Sequence, residues 1–222
     1  PAGGYMISTP ELNAEFDIAI AYTIPTSKDP FFIDVKQYEV PAKYEYISIP
    51  KIDRDAFLIA RIADWEDMNI VDGMASIYFG GTYVGQSFIN TRSISDTLDI
   101  SLGRDNKVFV TRTKRKEYSS KKIIGTTKKE NMDYEISVKN NRTVPIDIEI
   151  LDQIPISSNS DIKVDVDEIS DALKNDLTGK LTWKFNIAPG EVKKVRLAFS
   201  VKYPSNREVN VKKQSFKNAR FL

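Results

Sequence analysis

An apolar–polar alternation with a period of two, cut into short runs by proline, glycine and asparagine, is the feature that most constrains this chain. From Glu15 to Ile24 the residues Phe16, Ile18, Ile20, Tyr22 and Ile24 share one side, with Asp17 opposite, and Pro25 stops the run. Successive side chains of a strand point to opposite faces, so such a run builds a half-buried strand and leaves no helical stripe. Ile33, Val35, Tyr38 and Val40 predict a second strand ending before Pro41, and Tyr44–Ile49 a third ending at Pro50. Ala56 to Trp65 begins with a continuous apolar run, which predicts a strand covered on both faces. Met74–Phe79 and Thr82–Ile89 flank Gly80-Gly81, and two glycines that can both take positive φ predict a tight hairpin. Leu98, Ile100 and Leu102 alternate again and end at Gly103.

The remaining half repeats this grammar. Val108 to Tyr118 predicts a long strand with basic residues on its exposed positions. Met132–Val138 precedes an Asn140-Asn141 turn, and Val144, Ile146, Ile148 and Ile150 then share one face. Leu181–Ile187 leads into an Ala188-Pro189-Gly190 turn, followed by Val195, Leu197, Phe199 and Val201 in strict alternation. Only Asp167–Asp176, with Ile169, Ala172 and Leu173 at helical spacing, predicts a short helix or a turn within a loop.

Strands at such spacing, with almost no helix, predict an all-β chain of two consecutive antiparallel sandwich- or barrel-like domains, the second immunoglobulin-like. Charge locates the seam. Residues 1–103 carry 7 basic and 15 acidic side chains, whereas residues 104–222 carry 25 and 16. The expected division is an acidic β domain over 1–105, a basic sandwich over 106–205 with Trp183 as a core anchor, and a basic tail over 206–222.

Composition narrows the chemistry. The chain has no Cys and no His, which removes thiolate nucleophiles, disulfides, thiolate metal sites and the commonest general base and zinc ligand. With 41% hydrophobic and 28% charged residues it reads as a globular chain, and no run approaches the roughly 20 apolar residues of a membrane-spanning helix. It opens on Pro-Ala-Gly-Gly without an initiator Met or a signal-peptide pattern, as expected of a trimmed piece of a longer protein.

Four clusters invite a functional reading. Arg104 to Lys129 is rich in cations, among them Arg112, Lys114, Arg115 and Lys116, and could face an anionic polymer, glycan or lipid headgroup layer. The plainer reading is a solvated hairpin whose lysines prevent edge-to-edge pairing. Few aromatics are interleaved for base stacking, so nucleic acid is not expected. Asp161, Asp165, Asp167, Glu168 and Asp171 crowd one stretch without the glycine and closing glutamate of a calcium loop, so a water-facing acidic loop is expected and no metal or cofactor. Asp64, Glu66, Asp67 and Asp72 surround Trp65, a pattern that could serve a sugar or simply mark a loop. Tyr78, Phe79, Tyr83 and Phe88 flank the double glycine, where they form either an exposed contact surface or ordinary cross-strand pairs.

Several segments in order carry a resemblance: Tyr22-Thr23-Ile24-Pro25, Tyr44-Glu45-Tyr46, Ile49-Pro50-Lys51, Ala56–Ala60, Tyr83-Val84-Gly85, Ser101–Asp105, Tyr134–Asn140, Asp152–Ser157, Gly179–Trp183 and Tyr203-Pro204. Together they resemble the C-terminal domain of unknown function of mucoidy-inhibitor-A-like bacterial proteins. The resemblance implies a separate upstream domain and a helical, coiled-coil-like region through which any oligomer would form. It implies a place in the periplasm or cell envelope, and it brings no catalytic residue.

The expected function is a non-catalytic binding or structural β module of a larger envelope-associated bacterial protein, with protein partners of the envelope. The candidate contact residues are Trp65, Tyr78, Tyr83, Arg112, Lys114, Arg115 and Lys116. The alternative is a glycan-binding or carbohydrate-active protein using Trp65, its carboxylates and the hairpin aromatics.

Overall fold

The alternating runs fold into strands that pair across long sequence distances. A computed structural model of the chain describes residues 37–68, 70–89 and 97–207, with Thr23, Thr26, Lys28 and Val209. The strand expected over Glu15–Ile24, the start of the run Ile33–Val40 and nearly all of the 206–222 tail lie outside the described residues. Residues 37–40 themselves are irregular.

One layer is built on β1 (Ala42–Ile49), β2 (Asp53–Ala63) and β5 (Thr97–Arg104), joined to β9 (Ile146–Gln153), β11 (Leu173–Lys174) and β12 (Lys180–Ile187). The six lie in the order β11-β12-β9-β1-β2-β5. The other layer has β6 (Val108–Lys114), β8 (Thr127–Asn140), β10 (Lys163–Glu168) and β13 (Val192–Pro204), ordered β10-β13-β8-β6, with β7 (Ser120–Ile124) also paired to β8. β3 (Gly73–Phe79) and β4 (Thr82–Ile89) pair only with each other.

The architecture is therefore all-β and sandwich-like, as the period of two predicts. Residues 106–205 alone supply strands to both layers. Of the described strands before residue 105, β1, β2 and β5 extend one of those layers, and only β3 and β4 form a sheet apart from it. The junction is a parallel pairing of β1 with β9, in which Tyr46 lies opposite Ile148 and Ser48 opposite Ile150. The charge reversal at Gly103–Asn106 marks the crossover from β5 in one layer to β6 in the other. Alternation fixes which side chains face inward but not which strand lies alongside, so this pairing has no signature in either segment.

Between the layers Ile146, Ile148, Ile150, Leu181, Trp183 and Ile187 meet Val108, Val110, Ile136, Val138, Leu197 and Val201. Each such aliphatic side chain, fully buried, contributes about 1.5–3 kcal/mol relative to exposure. Tyr46 and Ala56 belong to the same core, so the early strands share it. The Trp183 indole N–H donates to the Ile169 carbonyl at 2.9 Å, which satisfies the polar edge of a buried ring. On the opposite side of the six-stranded layer, Ile47, Ile49, Phe57, Ile59 and Leu151 form a second cluster. This explains the continuous apolar run of β2: Ala56 faces one cluster, Phe57 and Ile59 the other.

One local expectation changes and another narrows. The expected long strand from Val108 ends at Lys114, and Lys116–Tyr118 forms a 3-10 turn before β7. Of the helix and the turn expected over Asp167–Asp176, the turn is what forms: Asp167 and Glu168 finish β10, Ser170 and Asp171 turn with φ of 43° and 59°, and β11 follows.

Candidate interaction surface

In β3–β4, Gly80 and Gly81 take φ of 56° and 76°, the left-handed pair that a two-residue hairpin turn demands. The register sets Met74 opposite Phe88, Ser76 opposite Gln86, and Tyr78 opposite Tyr83 after a bulge. Residues directly opposite share a face, so Met74, Tyr78, Tyr83 and Phe88 form one ladder. Their exposures are 64%, 66%, 53% and 58%, an aromatic and thioether surface turned to solvent with the uncharged pair Ser76–Gln86 between its two rungs. Tyr78 and Tyr83 meet edge-to-face with centroids 5.4 Å apart. Ile77, on the opposite face of the hairpin, is buried.

The signal that sequence reasoning missed is the charge. Gly73 to Ile89 contains no Asp, Glu, Lys or Arg, in a chain of which 28% is charged. Loss of charge with enrichment in Tyr, Phe and Met is the composition of an interface centre. A two-stranded sheet is also marginal without a surface to pack on.

Trp65 is not part of this surface. It is 6% exposed at the start of the 3-10 turn Trp65–Met68, so its ring is withdrawn from solvent and offers no stacking platform. Asp64, which precedes it, takes φ 52° and is exposed, as is Glu66. A tryptophan among carboxylates resembles a surface motif in sequence, but here the acids mark the turn that folds the indole inward.

The basic segment is also divided by the fold. Arg112 points into the sandwich, where its Nε lies 2.7 Å from the carboxylate of Asp152, whose side chain has no exposure. The guanidinium covers the Tyr134 ring at 3.6 Å. Lys51, which donates to the Gln153 carbonyl at 3.2 Å, sits close enough for Asp152 to act on its charge; burial lowers its pKa and Asp152 partly opposes that. Arg112 is thus a buried ion-pair residue and not a surface contact. Parity could have found it: Val108, Val110 and Arg112 share one face, as do Ile146, Ile148, Ile150 and Asp152.

Arg115 stacks on Tyr118 at 4.2 Å and lies 3.8 Å from Asp133, which also receives Arg196 at 2.6 Å. Lys114 and Lys116 are exposed beside this group. Asp133 is almost inaccessible, so the two guanidiniums are held by a carboxylate already in place. At the crossover, Tyr46 donates to Asp105 at 2.7 Å, and Arg142 donates to both. Burial, then the hydrogen bond to Asp105, pushes the Tyr46 hydroxyl far above the ordinary tyrosine value. For Asp105, burial acts upward, but bonds from Tyr46, the Lys107 N–H and Arg142 outweigh it and hold the carboxyl below its usual value.

The outer side of the six-stranded layer has a solvent-open depression lined by Lys43, Glu45, Asp147, Glu149, Lys184, Phe185 and Asn186. Its charges are paired: Arg61 joins Glu45 and Asp99, Lys184 lies 3.5 Å from Glu149, and Asn186 donates to Asp147 at 2.8 Å. In the acidic stretch, Asp165 receives Lys202 at 2.7 Å, Asp161 lies 3.3 Å from Arg207, and Glu168 accepts from the Ser170 N–H. Among the described residues no group of three or more carboxylates converges as metal ligands would.

Residues 6–205 match the family model described as a domain of unknown function, DUF4139. Over 218 residues the chain is 23% identical to Protein F37C4.5 of Caenorhabditis elegans. That alignment covers 91% of this chain and 39% of the relative, so the chain spans well under half of the longer protein's length.

Proposed function

From the premise that the chain belongs to the DUF4139 family, we propose that it is a non-catalytic β module that docks a protein partner through the exposed face of the β3–β4 hairpin. The observation that carries this reading is the ladder Met74–Phe88 and Tyr78–Tyr83, more than half exposed at every position and without a formal charge. The matching partner offers an apolar surface of low charge, because a charged one would lose hydration without gaining an ion pair. Two rigid tyrosines contribute large contact areas at small entropic cost, which is how a small surface acquires affinity.

In the larger protein this module would sit at the cell envelope, beyond an upstream helical region that handles oligomerisation. That part of the reading rests on the resemblance of the segments from Tyr22 to Pro204 set out above. The absence of His and Cys supports a non-catalytic role. The glycan alternative loses Trp65 as a platform and retains the hairpin aromatics, of which Tyr78 and Tyr83 meet edge-to-face.

The test compares the chain with Tyr78→Ser/Tyr83→Ser as affinity baits in an extract of the source organism, followed by reconstitution with the purified partner. A partner that binds the parent and is lost from the variant supports the reading. Turnover of a substrate that one point mutation abolishes would overturn it.

A further inference from the structure

A second surface, independent of the β3–β4 hairpin, lies at the far end of the other layer. β7 and β8 form a hairpin whose turn is Gly125-Thr126, with Gly125 at φ 59°. Its last residues are Ile123 and Ile124, which are 63% and 69% exposed. Being consecutive in a strand, they point to opposite faces. A tip that packed on one protein surface would need only one apolar face. Two suit a medium that surrounds the tip.

Cations lie immediately behind it. Lys128 is the cross-strand partner of Ile123, and Lys122 that of Lys129. Lys129 lies opposite Lys202 on β13, and Lys202 opposite Lys163 on β10. Lys122, Lys129, Lys202 and Lys163 therefore form one row across four strands, on the face opposite the core residues Val201 and Tyr203, with Lys122 and Lys163 exposed and Lys129 and Lys202 half-buried. Like charges directly opposite one another destabilise a sheet, and one carboxylate, Asp165, lies near enough to Lys202, Lys129 and Lys163 to offset part of that repulsion. Lys202 is matched by Asp165 at 2.7 Å, and Lys121, on the other face of the hairpin, by Glu130 at 2.8 Å. Lys122, Lys128, Lys129 and Lys163 make no ion pair among the described residues.

We propose that this hairpin is a membrane-docking tip: Ile123 and Ile124 enter the interfacial region of an anionic bilayer while Lys122, Lys128, Lys129 and Lys163 meet the headgroups. The spacing fits, because two strand residues span about 7 Å and interfacial apolar groups sit roughly 5–10 Å deep. Lysines set back from an apolar tip keep their ammonium groups at headgroup level and bury their methylene stems. The lipid source follows from the pairing of an apolar tip with a basic collar. A polyanion such as nucleic acid would use the lysines and leave the isoleucines idle.

The experiment is cosedimentation of the chain with phosphatidylcholine vesicles, with and without about 30% phosphatidylglycerol, a content that sets a substantial negative surface potential. Binding is expected for the anionic vesicles and not the neutral ones, with a steep fall as salt rises from about 0.1 to about 0.5 M. Lys122→Gln and Lys129→Gln should each weaken it about 5-fold. Ile123→Ser/Ile124→Ser should weaken it at least about 10-fold, with the near-ultraviolet circular dichroism unchanged because both residues are exposed. Equal binding to neutral vesicles, no binding to either, or an isoleucine variant that binds like the parent would overturn the proposal. So would duplex DNA bound as tightly as the anionic vesicles and insensitive to the isoleucine change, since that describes a general polyanion surface.

Discussion

Arg112 and Asp152 face each other inside the sandwich, 2.7 Å apart, one on an edge strand of one layer and the other in the middle of the opposing layer. Asp152 also accepts the Gln153 N–H at 2.7 Å, and the Arg112 guanidinium rests on Tyr134. The pair bridges the two sheets by charge, beside a mainly apolar contact that also includes the buried Asn140 amide donating to the Ile187 carbonyl at 2.9 Å.

Removing Arg112 takes the hydrogen-bonded counter-charge from a fully buried Asp152 and leaves only the more distant charge of Lys51 to act on it. Arg112→Ala is expected to lower stability by about 3–5 kcal/mol, read from urea denaturation at neutral pH. Replacing both with apolar residues of similar volume, Arg112→Met with Asp152→Leu, should recover most of that loss. A double variant as unstable as the single one would show that the pair contributes specific geometry beyond mutual neutralisation.

The Tyr46–Asp105–Arg142 group gives an acid limb to stability. The Asp105 carboxyl is held below its ordinary value, so its stabilising contribution is complete above the unfolded-state pKa of about 3.9 and disappears as pH falls through the lower folded value. Glu130, where burial acts upward but bonds from Lys121 and Tyr203 outweigh it, behaves the same way. Urea midpoints should decline from pH 5 to pH 2, and Asp105→Asn should flatten that decline while lowering the midpoint at pH 7. A variant with an unaltered acid limb would contradict the assignment.

Gly179 is a packing constraint as well as a turn. Its φ is +71°, and a Cβ there would lie 2.3 Å from the Ile154 carbonyl oxygen, which belongs to backbone and cannot swing aside. Gly190, at φ +76°, has no atom within 4 Å of the same position. Gly190→Ala should therefore cost about 1–2 kcal/mol, the left-handed penalty alone, and Gly179→Ala distinctly more. Thermal denaturation of the two variants separates conformation from collision, and equal losses would refute the clash.

Legibility followed the range of the interaction. The β3–β4 hairpin could be read from Gly80-Gly81 because turn chemistry is local, and the inward faces of β9 and β13 could be read because alternation is local too. The pairing of β1 with β9 could not: Tyr46 and Ile148 carry no mark of each other across the intervening chain. Trp65 looked like surface because its neighbours are acidic, yet backbone turning at Asp64 decides where the ring goes. The lysine row is invisible in sequence, since Lys122, Lys163 and Lys202 meet only through cross-strand register. The exposed ladder of β3–β4 was half legible: its aromatics stood out, while alternation alone could not say whether their face met core or water.

A photo-crosslinking residue placed at Tyr83, with a second placed at the still more accessible Leu177 in the β11–β12 turn, which is 86% exposed, tests the docking face most directly. The account predicts one discrete adduct with a partner protein from Tyr83, absent from Leu177 and abolished by Phe88→Ser. Adducts from Leu177 that match those from Tyr83, or a Tyr83 position that yields none while the chain still holds its partner, would contradict it.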